Sequence, residues 1–556
     1  MTLKCLVIGL DGADPDLVWP WAKAGKLPHL ARLMEHGVYG PLHSTYPPIS
    51  AAAWVTFMTG QQPARHGIFD FRNFDPRKYD FQAADIVSSA TIAGYTVLDA
   101  VGAYGKRVGA VTIPITFPAW EINGALVSGY PTPDANQAFT YPPELASGMG
   151  RLTENSALFR AATPEQVRAE LNRLTHARAQ AAIEMLSQDD YDLFILVIGS
   201  TDRAHHDFWK YHDPAHPAHD PREAAAFGDA VLQVYQEADA ALGDLLDAAD
   251  APNEETVVIV MSDHGGGPRP ARRFHLNAWL RSRRLLTTVR RSNPLRVALR
   301  RTVRAVRAGF PYQEQLYRAL PPALKRIATQ VNSDAQSNLG DILWRQTRAY
   351  RFPLHPPLDG IVLNVQERQR DGIVSPGAEY ESLREQLIVA LHAVRDPETG
   401  QPVVAEVARR EELYSGPYIE HMPDLVITLH ADYEGGAALD GPPISPVPLD
   451  ELRRLSGVHR MHGILIMSGA GVRTGGAVDG AHIVDLAPTM LYTLGLPVPR
   501  RMDGRVLLDA FDPAYRTAHP VEFSNWDGEQ KSDWSGYSEA DERDVMEQLR
   551  RLGYVE

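Results

Sequence analysis

The run Thr256–Met261 constrains this chain more than any other stretch. Six apolar or β-branched residues lead straight into Ser262, Asp263, His264 and three glycines, Gly265–Gly267. A strand with no polar face must be buried on both sides, the condition inside a parallel sheet covered by helices. In such sheets ligands gather just beyond the carboxyl ends of the strands. Asp263 and His264 fall at such an end, with glycines behind them that let a ligand approach the backbone. One carboxylate oxygen and one imidazole nitrogen suit zinc or manganese. From this stretch alone, a strand end capped by a turn reads equally well.

The same design recurs. Cys5–Leu10 is apolar and ends at Asp11-Gly12, after which Asp14-Pro15 reads as an N-cap followed by proline at the first helical position. Asp11 is then either a ligand carboxylate or a turn former. Leu193–Gly199 is another apolar run and leads into Ser200–Asp207, which contains Asp202 and His206. These two are four positions apart, so a helical turn after the strand would point both the same way. His459 stands just ahead of a further buried strand, Gly463–Met467. Ser50 follows Pro47-Pro48 and opens a run of helix formers. It is either an N-cap or a hydroxyl placed, at the positive end of a helix, to lose its proton and hold a phosphoryl group.

Between these points the pattern is α/β throughout. A strand is expected from Arg107, a long helix from Thr163 to Met185 and another from Pro221 to Ala248. From Pro268 to Gln330 the composition turns basic, with 16 Lys or Arg and a single acid, Glu314, in a chain whose net charge is -14. Val297–Arg307 reads there as a basic amphipathic helix, either a solvated insertion or a surface for anionic lipid or a polyanion. Residues 341–416 alternate strand and helix, and Pro423–Thr428 reads as a return to the main sheet. The expected division is a core of 1–267 and 421–517, a basic helical insertion 268–340, a small α/β subdomain 341–420 and a peripheral acidic tail 518–556. The acidic balance argues against general nucleic-acid binding. The single cysteine, Cys5, excludes an internal disulfide and reads as a buried hydrophobe. No run reaches the ~18 apolar residues of a transmembrane helix, so the expected location is cytoplasmic.

Taken in order, an Asp after the first strand, a hydroxyl ten residues before Thr59-Gly60, Asp202-x-x-x-His206, Asp263-His264-Gly265 and Gly457-x-His459 resemble the alkaline phosphatase superfamily. Within it they resemble the type I phosphodiesterase/nucleotide pyrophosphatase branch, over roughly residues 5 to 505. The resemblance implies a three-layer α/β sandwich around a mostly parallel sheet, and a hydrolase of phosphoric esters with two divalent ions, zinc or manganese. It implies one ion on Asp11, Asp263 and His264 with Ser50 beside it as nucleophile, and a second on Asp202, His206 and His459. Many relatives have threonine where Ser50 stands. The position of a phosphate-binding asparagine is occupied by Phe71, which leaves Arg72 or Asn73 for that contact; His462 stands where relatives often have Asp. A sulfatase would need Pro and Arg after the nucleophile, and here Ala51-Ala52-Ala53-Trp54 follow. A phosphoglycerate mutase of this fold would insert a domain after the serine, where this chain runs directly to Thr59-Gly60. A phosphomonoesterase, or a module that only binds an anion, glycan or lipid headgroup, is the remaining alternative.

Overall fold

The computed structural model describes residues 4–79, 85–133, 138–149, 152, 162–289, 338–531 and 537–552. The helix expected at Val297–Arg307, and most of the basic insertion with it, lies outside the described residues.

The centre is a nine-stranded sheet in the order Ala481–His482, Gly37–His43, His462–Gly469, Val257–Met261, Cys5–Leu10, Leu193–Ile198, Val108–Ile113, Gly124–Ser128, Thr140–Tyr141. Five neighbouring strands, from Val257–Met261 to Gly124–Ser128, run parallel. His462–Gly469 runs antiparallel to both of its neighbours. The apolar runs occupy the middle of the sheet because side chains alternate between its faces and both faces are covered. Cys5 and Val7 join one hydrophobic cluster, while Leu6, Ile8 and Leu10 join the other. Each such side chain contributes about 1.5–3 kcal/mol by leaving water, so a polar residue on either face of these strands would be strongly destabilising.

The helices that carry function begin where the sequence says they should, with differences of physical interest. Asp14 caps Pro15–Lys23 through the amide of Asp16. Thr163 and Gln166 form a reciprocal capping box that starts Pro164–Gln188. The expected helix from Pro221 breaks at Gly228-Asp229 into Pro221–Phe227 and Ala230–Ala249. Ser50 is not an N-cap. Ile49 holds the extended cap position, and Ser50 is the first residue of Ser50–Thr59, its hydroxyl not spent on capping.

Leu425–Leu429 does not return to the main sheet. It pairs with Leu358–Leu363 and Val404–Arg409 in a separate four-stranded sheet ordered Ala349–Phe352, Leu358–Leu363, Leu425–Leu429, Val404–Arg409. An apolar run of five residues states that a strand is buried, not which sheet buries it. No helix among the described residues is long and apolar enough to cross a membrane.

Candidate active site

The parallel strands all end on one edge of the sheet, and the site is assembled there. Asp11 follows Cys5–Leu10 directly, and Asp263 and His264 follow Val257–Met261. Asp202 and His206 lie on the first turns of Ser200–His212, which starts one residue beyond Leu193–Ile198. Because His462–Gly469 runs the opposite way, its beginning lies on this same edge, and His459 arrives with it.

The side chains meet. Asp202, His206 and His459 bring one ligand atom each to within 4.8 Å of one another, and Asp11, Asp202 and His264 do the same. His206 Nε2 is 3.2 Å from Asp202 Oδ2, the helical i, i+4 pair expected from the spacing. His459 Nε2 is 3.5 Å from Asp202 Oδ1, so Asp202 stands between the two groups. His264 Nε2 lies 3.3 Å from Asp263 Oδ2 and 3.2 Å from Ser50 Oγ. All seven residues are buried.

Each imidazole is aimed by its other nitrogen. His206 Nδ1 pairs with the carbonyl of Gly457 at 2.7 Å, His459 Nδ1 with that of Pro48 at 2.9 Å, and His264 Nδ1 with that of Gly265 at 3.0 Å. A carbonyl can only accept, so each Nδ1 carries a proton and each Nε2 is turned toward the cluster, the orientation a metal-binding imidazole requires. The carboxylates are held in the same way. Trp54 Nε1 donates to Asp11 Oδ2 at 3.0 Å, and the Gly12 amide donates to Asp263 Oδ1 at 3.1 Å. The opposite oxygens, Asp11 Oδ1 and Asp263 Oδ2, are buried and accept no hydrogen bond.

The electrostatics are those of a site built for cations. Burial, then repulsion from Asp263 and Asp202, pushes the Asp11 carboxyl well above the usual carboxylate range. Burial also raises Asp263. Burial would raise Asp202 too, but His206, His459 and His264 surround it and hold it well below. Burial and the neighbouring His264 push His459 well below the usual imidazole range, which favours its neutral form. Three buried carboxylates and three imidazoles with converging Nε2 atoms fit divalent ions of the zinc or manganese type, which take oxygen and imidazole nitrogen.

The glycines do a different task from the one expected. Gly265–Pro268 is a short strand paired antiparallel with Gly457–Arg460, and Gly266 lies opposite His459. A Cβ on Gly266 would stand 1.7 Å from His205 Nδ1. The absent side chain thus admits a buried ring, not a ligand. Gly12 has φ +70°, and a Cβ there would come within 2.8 Å of Asp202.

Arg72 and Asn73 form a two-residue strand against Asp85–Ile86, with the Arg72 guanidinium 5.6 Å from the Phe74 ring centre. Neither borders the cavity beside Ser50, which is partly open to solvent. That cavity is bordered instead by Arg178, Arg203 and Tyr130, none of which the sequence singled out. His355 is a further omission: its ring stacks on His459 at 5.2 Å. Arg178 sits within a charge-laced helix and His355 beside two prolines, contexts that give no sign of a site.

A sequence model of the type I phosphodiesterase/nucleotide pyrophosphatase family matches residues 5–464. The chain belongs to this family. It is thus a phosphoric ester hydrolase of the alkaline phosphatase superfamily. The family is metal-dependent, and the two clusters are the chain's candidate ion sites. No curated protein matches the sequence. Among solved structures, phosphonoacetate hydrolase from Sinorhizobium meliloti 1021 in complex with phosphonoformate is 15% identical, with TM-score 0.48 over 89% of this chain and 95% of that one. Murine ectonucleotide pyrophosphatase/phosphodiesterase 5, an inactive form in complex with AMP, is 15% identical, with TM-score 0.47 over 92% of this chain and 100% of that one. The human protein of that name is 14% identical, with TM-score 0.48 over 92% and 100%.

Proposed function

We propose that this family member is a phosphodiesterase or pyrophosphatase that works through a covalent phosphoseryl intermediate on Ser50. Asp11, Asp263 and His264, with Ser50 beside them, would hold one divalent ion, and Asp202, His206 and His459 a second. Zinc suits this donor set, and manganese shares it. Ions bound there would favour the Ser50 alkoxide and neutralise charge on the phosphoryl oxygens. The single observation that carries this reading is the convergence of the Nε2 atoms of His264, His206 and His459 on buried carboxylates beside Ser50 Oγ.

Ser50 starts its helix with its hydroxyl paired to His264 Nε2 at 3.2 Å and not spent on capping, and the positive helix end favours its anionic form. Its oxygen forms a bond to phosphorus in line with the departing ester oxygen, whose bond to phosphorus breaks. Water then attacks the phosphoserine, releasing phosphate or a phosphomonoester and returning the proton to Ser50. The burial of the whole set limits competing water during the first step.

The decisive variant is Ser50→Ala. Turnover of bis-p-nitrophenyl phosphate should vanish while bound metal, measured by elemental analysis, stays at the wild-type amount. Undiminished turnover would remove Ser50 as nucleophile. Parallel assays on p-nitrophenyl phosphate and p-nitrophenyl sulfate separate a diesterase from a monoesterase and a sulfatase.

A further inference from the structure

The last helix of the chain is built into the catalytic edge of the sheet. Glu539–Leu552 carries Val545 and Leu549 four positions apart, hence on one face. Both are fully buried in the hydrophobic cluster on one side of the central sheet, and Met546 packs against it. Just ahead of the helix, the Tyr537 ring stacks on Phe117 at 5.4 Å, and its hydroxyl donates to the Pro131 carbonyl at 3.1 Å. Gln548 Nε2 donates to the Thr132 carbonyl at 3.0 Å. These bonds hold the helix to the loop that follows Gly124–Ser128, a strand that ends on the same edge as those carrying Asp11 and Asp202.

Thr112 and Tyr130 border the cavity beside Ser50 and also a second cavity, which Gln548 borders from the last helix. Val127, Phe139 and Leu152 give the second cavity apolar walls. Its hydroxyls are spent as donors: Thr112 on the Val197 carbonyl at 2.7 Å, Ser128 on that of Thr116 at 2.8 Å and Thr132 on that of Gly129 at 2.6 Å. Arg178, which borders both cavities, is engaged by neighbours of its own. Gln548 differs from all of these. A side-chain amide has two N–H donors and a carbonyl oxygen. Among the described residues Gln548 makes a single hydrogen bond, to Thr132. One N–H and Oε1 remain for a group that enters the cavity.

We propose that Gln548 is a specificity-determining residue: it closes a pocket, adjoining the cavity at Ser50, that receives one arm of the substrate, an uncharged arm with an apolar body and a hydrogen-bonding group at its far end. The inference rests on the phosphoryl group reacting at Ser50, and it deepens that reading by assigning a substrate arm to a pocket completed by the last helix. An arm that leaves phosphorus past Thr112 and Tyr130 runs along apolar walls before it meets the amide. Such walls favour a body that gains by leaving water. A charged arm would give up its hydration there with no open counter-charge in exchange. Mostly apolar linings with a few placed polar groups are the usual make-up of small-molecule pockets.

The test is inhibition of bis-p-nitrophenyl phosphate hydrolysis by the full-length, metal-loaded protein with three probes that share a phosphonate and differ in the arm: methylphosphonate, benzylphosphonate and 4-acetamidobenzylphosphonate. In wild type the inhibition constants should fall in that order. The readout is the ratio of constants, in which the shared binding of the phosphonate to the ions cancels. Gln548→Ala should reduce the advantage of the acetamido probe over benzylphosphonate by roughly 3- to 10-fold, the worth of one neutral hydrogen bond. Gln548→Trp, which fills the pocket, should remove the advantage of both longer probes over methylphosphonate. A purely structural role for Gln548, tying the helix to Thr132, would weaken all three probes alike and leave the ratios unmoved, which overturns the proposal. Should either variant fail to fold, Gln548→Met, of similar length and without the amide, must reduce the acetamido advantage as Gln548→Ala does; an advantage that survives it overturns the proposal equally. Equal inhibition of wild type by all three probes overturns the pocket and leaves the Ser50 reading standing, whereas a wild type that does not hydrolyse the diester overturns the Ser50 reading and the pocket with it.

Discussion

At the scale of single residues, the site depends on side chains that never touch a substrate. Trp54 is fully buried and spends its only N–H on Asp11 Oδ2. Trp54→Phe keeps most of the volume and removes the donor, so we expect metal affinity to fall by about 10- to 100-fold, the usual effect of losing such a supporting bond. Competition with a chelating dye measures it, and unchanged affinity would show that Asp11 needs no anchor. His66 reports on a different property. It is buried, takes the amide of Ile68 on Nδ1 and pairs through Nε2 with Thr56 at 2.9 Å. Burial pushes its pKa down to about 3. A folded-state pKa below the unfolded value of ~6.5 means that the unfolded chain binds the proton first as pH falls. The contribution of His66 is therefore whole above pH ~6.5 and is lost progressively below it, by roughly 2 kcal/mol at pH 5. His66→Gln should lose less stability than wild type between pH 7.5 and 5 in urea titrations; parallel losses in the two proteins would contradict the assignment.

At the scale of elements, the short ribbon of Gly265–Pro268 against Gly457–Arg460 determines where His459 stands. Its glycines let the strand lie on His205, whose Nε2 is 2.9 Å from the Tyr235 hydroxyl on Ala230–Ala249. Gly266→Ala puts a methyl group where a ring already is, an overpacking that typically costs about 1–3 kcal/mol. The melting temperature should drop and metal content should drop with it, because His459 lies opposite Gly266 in the ribbon. A variant with the wild-type melting temperature and metal content would mean that the ring moves aside freely. Other elements follow directly from local chemistry. The capping box at Thr163 and the aspartate cap at Asp14 could be read from residue types alone, because such contacts span two or three positions. Ser50 could not: whether a serine before a helix is its cap or its first residue depends on the backbone of Ile49, which the identity of the serine does not reveal.

At the scale of the whole molecule, six acids and imidazoles from four separate stretches of chain are drawn to one edge of the sheet. Among the described residues this gathers three buried carboxylates, which repel one another without cations. Ions bound to the native state alone stabilise it by mass action, about 3–4 kcal/mol at a hundred to a thousand times the dissociation constant. Removing divalent ions with a chelator should therefore abolish hydrolysis and also lower the melting temperature, with both restored by zinc or manganese. A melting temperature indifferent to the chelator would mean that the carboxylates are relieved by protonation instead.

What the sequence determined by itself was the sheet and the inventory of its edge. Apolar runs without a polar face can only be interior strands, and acids at the ends of three of them, Asp11, Asp202 and Asp263, had to lie on a common edge if those strands were parallel. The i, i+4 spacing likewise foretold the pair of Asp202 and His206. What only the tertiary structure decided was direction and distance. His459 precedes its strand, and it reaches the site because that strand runs antiparallel, a choice made by pairing with Val257–Met261 and Gly37–His43 rather than by any local preference. The same holds for Leu425–Leu429, whose apolar residues suit either sheet, and for Arg178, which is indistinguishable from a solvated helix charge until a second helix end is laid against it. Local sequence specifies what a segment must bury and which backbone it favours; contacts between segments far apart in the chain specify which groups become neighbours.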